Sequence, residues 1–174
     1  MGWHAPPEDL TLSNPLWHLA LDLWERPGFA AACLEAQGEG IAVTHMLVAL
    51  YQAQYGADWS GDEPEAIRRW RQESTQRLRG LRQSLPKGNP AVASLRQNVA
   101  ECELQSEQVE LAWWWHHLDT RARPHACSDL QPAERARLNL GSIGLDGRLA
   151  SIRDRLIVAW EQTPEQEQPT GNTE

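Results

Sequence analysis

Residues 77–111, RLRGLRQSLPKGNPAVASLRQNVAECELQSEQVEL, join a basic segment to an acidic one across a short break. Pro86-Lys87-Gly88 ends one helical pattern. Asn89-Pro90 starts the next, a capping side chain followed by a proline in the first turn, where the missing N–H costs nothing. Upstream, Ile67, Trp70, Ser74, Leu78, Leu81 and Leu85 recur at helical spacing and predict a helix over about 64–85. Downstream, Leu95, Val99, Cys102, Ser106, Val109 and Trp113 predict a second over about 90–118. Two long helices joined by so short a loop fold back antiparallel. The fold class that follows is all-α, a compact bundle of six to seven helices around this hairpin with no sheet.

The hairpin is divided by charge. Arg68, Arg69, Arg71, Arg77, Arg79 and Arg82 stand on the first helix against Glu65 and Glu73, whereas the second carries Glu101, Glu103, Glu107 and Glu110. Facing rows would pair across the hairpin, contributing about 0–1 kcal/mol per exposed pair, and where partly buried they would fix register more than they stabilise. An exposed Arg row for phosphate or RNA is the alternative, but nucleic-acid binders normally present a basic face on a basic domain. A third possibility sets Glu103 and Glu107 with His45 or His18 around a metal. The paired Glu-x-x-His motifs of bundle metal sites are missing, so neither metal nor cofactor is expected. Arg79, Arg82, Glu103, Glu107, His18 and His45 are therefore the candidates for ion pairing or ligand contact.

Outward from the hairpin, SNPLW offers Ser13 or Asn14 as a cap and Pro15 at the first helical position. The helix they open is apolar to Trp24 except for a stripe of His18, Asp22 and Glu25, and so is expected to be otherwise buried. Pro27-Gly28 breaks it. Phe29, Ala32, Cys33 and Ala36 then share a small-sided face, and IAVTHMLVALYQAQY (41–55) reads as a mostly buried helix. Asp62 is the expected cap before Pro64. A linker follows Asp119, then a short helix at AERARLNL, then an amphipathic helix with Leu149, Ile152, Leu156 and Trp160. The expected organisation is an N-terminal arm (1–12), a helical core (13–119), a C-terminal helical extension packed on it (120–161) and a disordered tail (162–174).

The 174 residues suit one domain with a real core. A formal charge of −8 makes nucleic acid and anionic membranes poor partners. All but one of the 16 basic residues are Arg, a bias given no functional weight. Cys33, Cys102 and Cys127 are odd in number and widely spaced, as reduced thiols of a cytoplasmic protein would be. Cys33 and Cys102 fall on apolar seams, where thiols are inert. No signal sequence or membrane-length apolar run is evident.

LAWWWHHLD (111–119) poses a separate question. Successive helical residues point about 100° apart, so Trp113, Trp114 and Trp115 fan around the helix and cannot line one pocket. Adjacent histidines diverge too, which disfavours zinc. Each indole buries on the order of 200 Å², so this end needs cover from neighbouring helices, from the segment bearing Trp160, or from a partner. Trp114, Trp115 and His116 are the candidate interaction surface.

The ordered motifs LWHLALDLWERPGFAAACLEAQ, RLRGLR and ECELQSEQVEL resemble a proteobacterial helical family, domain of unknown function 2390. Pro27, Gly28, Cys33, Leu34, Gln37, Leu78, Arg79, Arg82, Glu103, Leu104 and Glu107 fit its pattern over about 14–118. Val43-Thr44-His45-Met46 stand where the family favours Val-Asn, and Ala36 replaces a leucine. The resemblance implies a helical fold and a bacterial cytoplasmic setting but no reaction. No nucleophile motif or phosphate loop is present. The expected function is thus a non-enzymatic interaction or adaptor module with a protein partner, a homo-oligomer being compatible. The alternatives are a small anionic or apolar ligand held between helices by Arg79 or Arg82, or an enzyme with His18, His45, Glu103 and Arg79 converging inside the bundle.

Overall fold

The computed structural model describes residues 5–120 and 130–162. Residues 1–4 of the expected arm, 121–129 of the linker and 163–174 of the tail lie outside the described residues. The chain runs α1 (Pro15–Glu25), α2 (Phe29–Gly38), α3 (Val43–Gln54) and α4 (Glu65–Trp70). A π-helical segment (Arg71–Thr75) carries α4 directly into α5 (Gln76–Ser84), and α6 (Ala93–Thr120), α7 (Pro132–Ser142) and α8 (Ala150–Glu161) follow. With α4, the π segment and α5 counted as one rod, the described residues form seven helical rods and no strand. The all-α hairpin bundle expected from the sequence is the fold.

At the start of α1, Asn14 is the cap: its side-chain oxygen accepts from the Trp17 N–H at 2.9 Å. Ser13 instead bonds His18 Nε2 at 2.9 Å. α3 runs through the centre. Every residue from Met46 to Tyr51 is buried, and so is Ala53, so this helix has no solvent face. α7 packs along it most extensively, with α1, α2 and α6 around the rest. On α2 the small-sided face is buried as expected at Phe29, Ala32, Cys33 and Ala36, and α8 is its main neighbour. Small side chains let two helix backbones approach closely there.

Several sequence expectations are corrected. α1 is not otherwise buried: Leu16, Ala20 and Leu23 face the core, but Leu21 and Trp24 are 48% and 41% exposed. Asp62 does not cap the next helix. The residue before α4 is Pro64, which has no side-chain cap, and Asp62 accepts from Ser60 Oγ at 2.6 Å instead. The seam expected over 64–85 holds at Ile67 and Trp70 and then fails, because a π turn takes up an extra residue. Downstream positions are rotated by one, so Thr75, Arg79 and Arg82 meet α6, and Leu81 is half exposed. α6 keeps its regular period, but its buried face is offset from the expected seam. Val99 and Ser106 stay inside, Leu95 and Cys102 face solvent, and Glu103 and Glu110 are buried. Cys102 is therefore not a core thiol; Cys33 is, and burial pushes its thiol up to about 12.

The C-terminal helices also shape the core. Asn139 of α7 is buried and donates to the carbonyls of Ala49 (3.2 Å) and Ala57 (3.0 Å) while accepting from the Trp59 N–H at 2.9 Å. Ser142 Oγ donates to Trp59 O at 2.8 Å. Gly61 lies so close to the end of α7 that a Cβ there would sit 2.9 Å from Ser142 O, and its φ of +84° already favours glycine. α7 thus straps the loop after α3 to the bundle, and that loop carries Trp59 against Trp114. Replacing Asn139 with Ala removes the partner of one buried and two partly buried backbone groups. The unfolding free energy should fall by about 1–3 kcal/mol, measurable by urea denaturation, with a loss of near-ultraviolet tryptophan circular dichroism. Unchanged stability would show that the strap contributes nothing.

Candidate functional site

Two tiers of charge lock α4–α5 to α6. In the outer tier Arg79 donates from Nε to Glu103 Oε1 (2.8 Å) and from Nη2 to Glu107 Oε1 (2.6 Å). Arg82 donates from Nε to Glu103 Oε2 (2.5 Å) and from Nη2 to Glu103 Oε1 (3.2 Å). The Gln37 amide of α2, with its oxygen turned to the guanidinium, accepts from Arg79 Nη1 at 2.9 Å. Every nitrogen of Arg79 is then occupied. In the inner tier Arg71 Nε donates to Glu110 Oε1 (3.0 Å), Thr44 Oγ1 donates to the same oxygen (2.6 Å), and Arg71 also pairs with Glu63. Between the tiers, Thr75 and Ser106 share a hydroxyl bond of 2.8 Å and Trp70 Nε1 donates to Ser106 O at 3.0 Å.

These surroundings set the titrations. Burial pushes the Glu103 carboxyl up, but the bonds and charges of Arg82 and Arg79 outweigh it and hold it below the usual carboxylate range. Glu107 goes the other way, pushed up to about 7 by burial and by the carboxylates of Glu103 and Glu110, against the pull of Arg79. The bond from Arg82 to Glu103 raises the Arg82 guanidinium further.

Beside the outer tier lies a cleft of 410 Å³ between α1, α2, α3, α5 and α6. Trp17, Ala20, Leu21 and Trp24 of α1, Leu34 of α2, Val43 and Leu47 of α3, and Leu104 and Leu111 of α6 give it an apolar lining. Arg79, Arg82, Glu103 and Glu107 form its polar wall. Leu34 and Leu104 at the rim are 57% and 51% exposed. A contiguous apolar surface of this kind, with a few convergent polar groups, is the usual form of a ligand pocket. A second hollow, of 470 Å³, lies around Arg26 and Trp160, with Gln54, Gln131, Pro132 and Ala133 on its wall. Arg26 is already bonded there to the backbone carbonyls of Trp160 and Ala159 at the end of α8.

The sequence candidates fall in separate places. Arg79, Arg82, Glu103 and Glu107 come together on the cleft wall. His18 is exposed on α1, where its Nε2 shares a bond with Ser13 Oγ, away from the cleft wall. His45 belongs to the inner tier: Nε2 meets Glu63 Oε1 at 2.9 Å, and the ring packs edge-on against Trp59 and Trp114 at 5.7 and 5.8 Å. Burial, with the charge of Arg71 adding to it, pushes His45 down to about 4, so it is a neutral imidazole at neutral pH and donates from Nε2 to Glu63. The expected convergence of His18, His45, Glu103 and Arg79 on one cavity does not occur. Among the described residues no three His, Cys, Asp or Glu side chains cluster as metal ligands.

Trp114 is corrected as a surface candidate, because it has no exposed area at all. Trp59, His45 and His117 close around it at ring separations of 5.5, 5.8 and 6.2 Å. Trp115 and His116 are half-buried. α7 contributes to this cover indirectly, by holding the loop that carries Trp59.

The family model described as protein of unknown function (DUF2390) matches residues 15–113, more than half of the chain. The chain belongs to this family. The match spans every residue of the cleft and both charge tiers, and it ends before Trp114 and the C-terminal helices. No curated protein and no solved structure matches the chain. Among the described residues no helix is long and apolar enough to cross a membrane.

Sequence reasoning missed the cleft's apolar half. Trp17, Leu21 and Trp24 recur along one side of α1, and Leu104 stands between Glu103 and Glu107. In both helices the apolar residues outnumber what one buried face needs, and that surplus was the available signal. Glu63 and Arg71 were missed because they join across a loop and a π turn.

Glu107 supplies a test of this electrostatic arrangement. Its folded pKa lies above its unfolded value, so its contribution to stability is full at low pH and is lost as pH rises toward 7. Glu107→Gln keeps a neutral acceptor for Arg79. It should therefore be more stable than the wild type at pH 8, with the advantage vanishing by pH 5, as read by chemical denaturation at each pH. A variant less stable at pH 8 than at pH 5, relative to wild type, would contradict the assignment.

Proposed function

We propose that the protein is a non-enzymatic helical binding module and that its site is the α1–α6 cleft, which receives the apolar part of a small ligand. The observation that carries this reading is the solvent-facing apolar lining, with Leu21, Trp24, Leu34 and Leu104 each more than two-fifths exposed around one hollow. Leaving such surface in water is unfavourable by about 25 cal/mol per Å², and a ligand that covers it recovers that free energy. The charged wall supports binding rather than catalysis, since most of its donors and acceptors are bonded to one another. The protein-partner reading loses its anchor with the burial of Trp114. Trp115 and His116 remain as the partly exposed remnant of that surface.

N-phenyl-1-naphthylamine, an uncharged apolar dye, should bind with a saturable, one-site rise in fluorescence. Leu104→Glu and Leu34→Glu, both at exposed positions that the fold tolerates, should weaken it at least about tenfold, the equivalent of 1.4 kcal/mol, with far-ultraviolet circular dichroism unchanged. No saturable binding, or equal binding by both variants, would remove the cleft as the site.

A further inference from the structure

The two arginines on the cleft wall differ in what they have left to offer. Arg79 spends all three nitrogens on Glu103, Glu107 and Gln37. Arg82 bonds Glu103 through Nε and Nη2, and its Nη1 makes no bond among the described residues. Glu103 is occupied at both oxygens, whereas among the described residues Glu107 accepts only through Oε1. The two residues that line the cleft thus keep one guanidinium nitrogen and one carboxyl oxygen without a bond among the described residues.

Charge counting decides which head group these two atoms fit. On the wall, two guanidinium groups face Glu103 and Glu107, so with Glu107 ionised the wall is neutral and attracts neither sign. With Glu107 protonated the wall carries one net positive charge, which a single anion cancels. The groups around Glu107 are Arg79 and Arg82 from α5, Glu103 and Glu110 from α6, and Glu25 from α1 at the exposed rim; α2 and α3 contribute only the uncharged Gln37 and Thr44. Glu25, exposed at the rim, is screened by solvent, so a cation gains little from the wall, and an ionised Glu107 would repel an anion. Neutralising that one carboxylate is what admits an anion.

Building on the cleft as a binding site, we propose that its ligand is an amphipathic carboxylate whose head is held by Arg82 Nη1 beside a Glu107 that takes up one proton as the ligand binds. The proton comes from solvent and goes to Oε2. The resulting O–H donates to the ligand carboxylate, while Oε1 keeps its bond from Arg79. Glu107 is poised for this because its carboxyl titrates near neutrality.

The probes are decanoate and decanol, competed against N-phenyl-1-naphthylamine from pH 6 to 9. Decanoate itself stays ionised over this range. Its affinity should strengthen about tenfold per pH unit from pH 9 down to 7 and level off below, the slope expected for uptake of one proton. Decanol should show no pH dependence. Glu107→Gln should bind decanoate at pH 9 as tightly as the wild type does at pH 6, with no slope. Arg82→Gln should lose decanoate and keep decanol. Calorimetry at pH 8 in buffers of different ionisation enthalpy should report about one proton taken up. Decanol binding without decanoate binding, or decanoate binding that is flat or tighter at high pH, would overturn the proposal while leaving the apolar cleft in place. Failure of both probes would overturn the cleft itself.

Discussion

Registry between α4–α5 and α6 is set by arginine–glutamate bonds rather than by interdigitating leucines, and much of the structure follows from that. Glu110 is wholly enclosed and Glu103 nearly so. An ionised carboxylate withdrawn from water costs several kcal/mol unless it is paired and hydrogen-bonded. Arg79 and Arg82 bond both oxygens of Glu103, and Arg71 and Thr44 bond Oε1 of Glu110, whose Oε2 has no partner among the described residues. The π segment is the backbone's part of this arrangement, because it turns Thr75, Arg79 and Arg82 inward where a continuous α-helix would have presented Ser74, Leu78 and Leu81.

That same rotation accounts for the cleft. Once α6 presents Glu103 and Glu107 to the arginines, Leu104 is carried round toward α1, whose outer side bears Trp17, Leu21 and Trp24. Apolar residues that ordinary hairpin packing would have buried against the partner helix are left lining a hollow. A polar seam and an exposed apolar hollow are thus two consequences of one register. The inner tier is sealed differently, by Trp114 and by the loop that α7 holds over it through Asn139. The bundle's closed end is therefore completed by helices beyond the family match.

Much of this was legible in the residues. Asn89-Pro90 and Pro15 marked helix starts correctly, the small-sided face of α2 was visible as Phe29, Ala32, Cys33 and Ala36, and the opposed charge rows announced the pairing of Arg79 and Arg82 with Glu103 and Glu107. Illegible were the features that depend on a helix departing from its ideal period. Periodicity places Leu81 inside because it assumes 3.6 residues per turn throughout, and one π turn is enough to exchange it for Arg82. It places Cys102 inside for a different reason: α6 keeps its period, but its buried face includes Glu103 and Glu110, residue types that ordinarily mark a solvent face. The same assumption hid the cleft, since Leu21 and Trp24 read as core whenever apolar residues are taken to be buried. Trp114 was read as a surface group because its cover comes from Trp59 and His45, far away in sequence.

The central claim is that the buried charged contacts, and not apolar packing, fix the α4–α6 register. A double-mutant cycle on Arg71→Met and Glu110→Gln tests it most directly, with unfolding free energies measured for the two single variants, the double variant and the wild type. The account predicts that each single change is strongly destabilising while the double variant recovers most of the loss, giving a coupling of at least about 2 kcal/mol, within the range found for residues in one bonded network. Additive losses, with no coupling between the two positions, would mean that the register is held by something else.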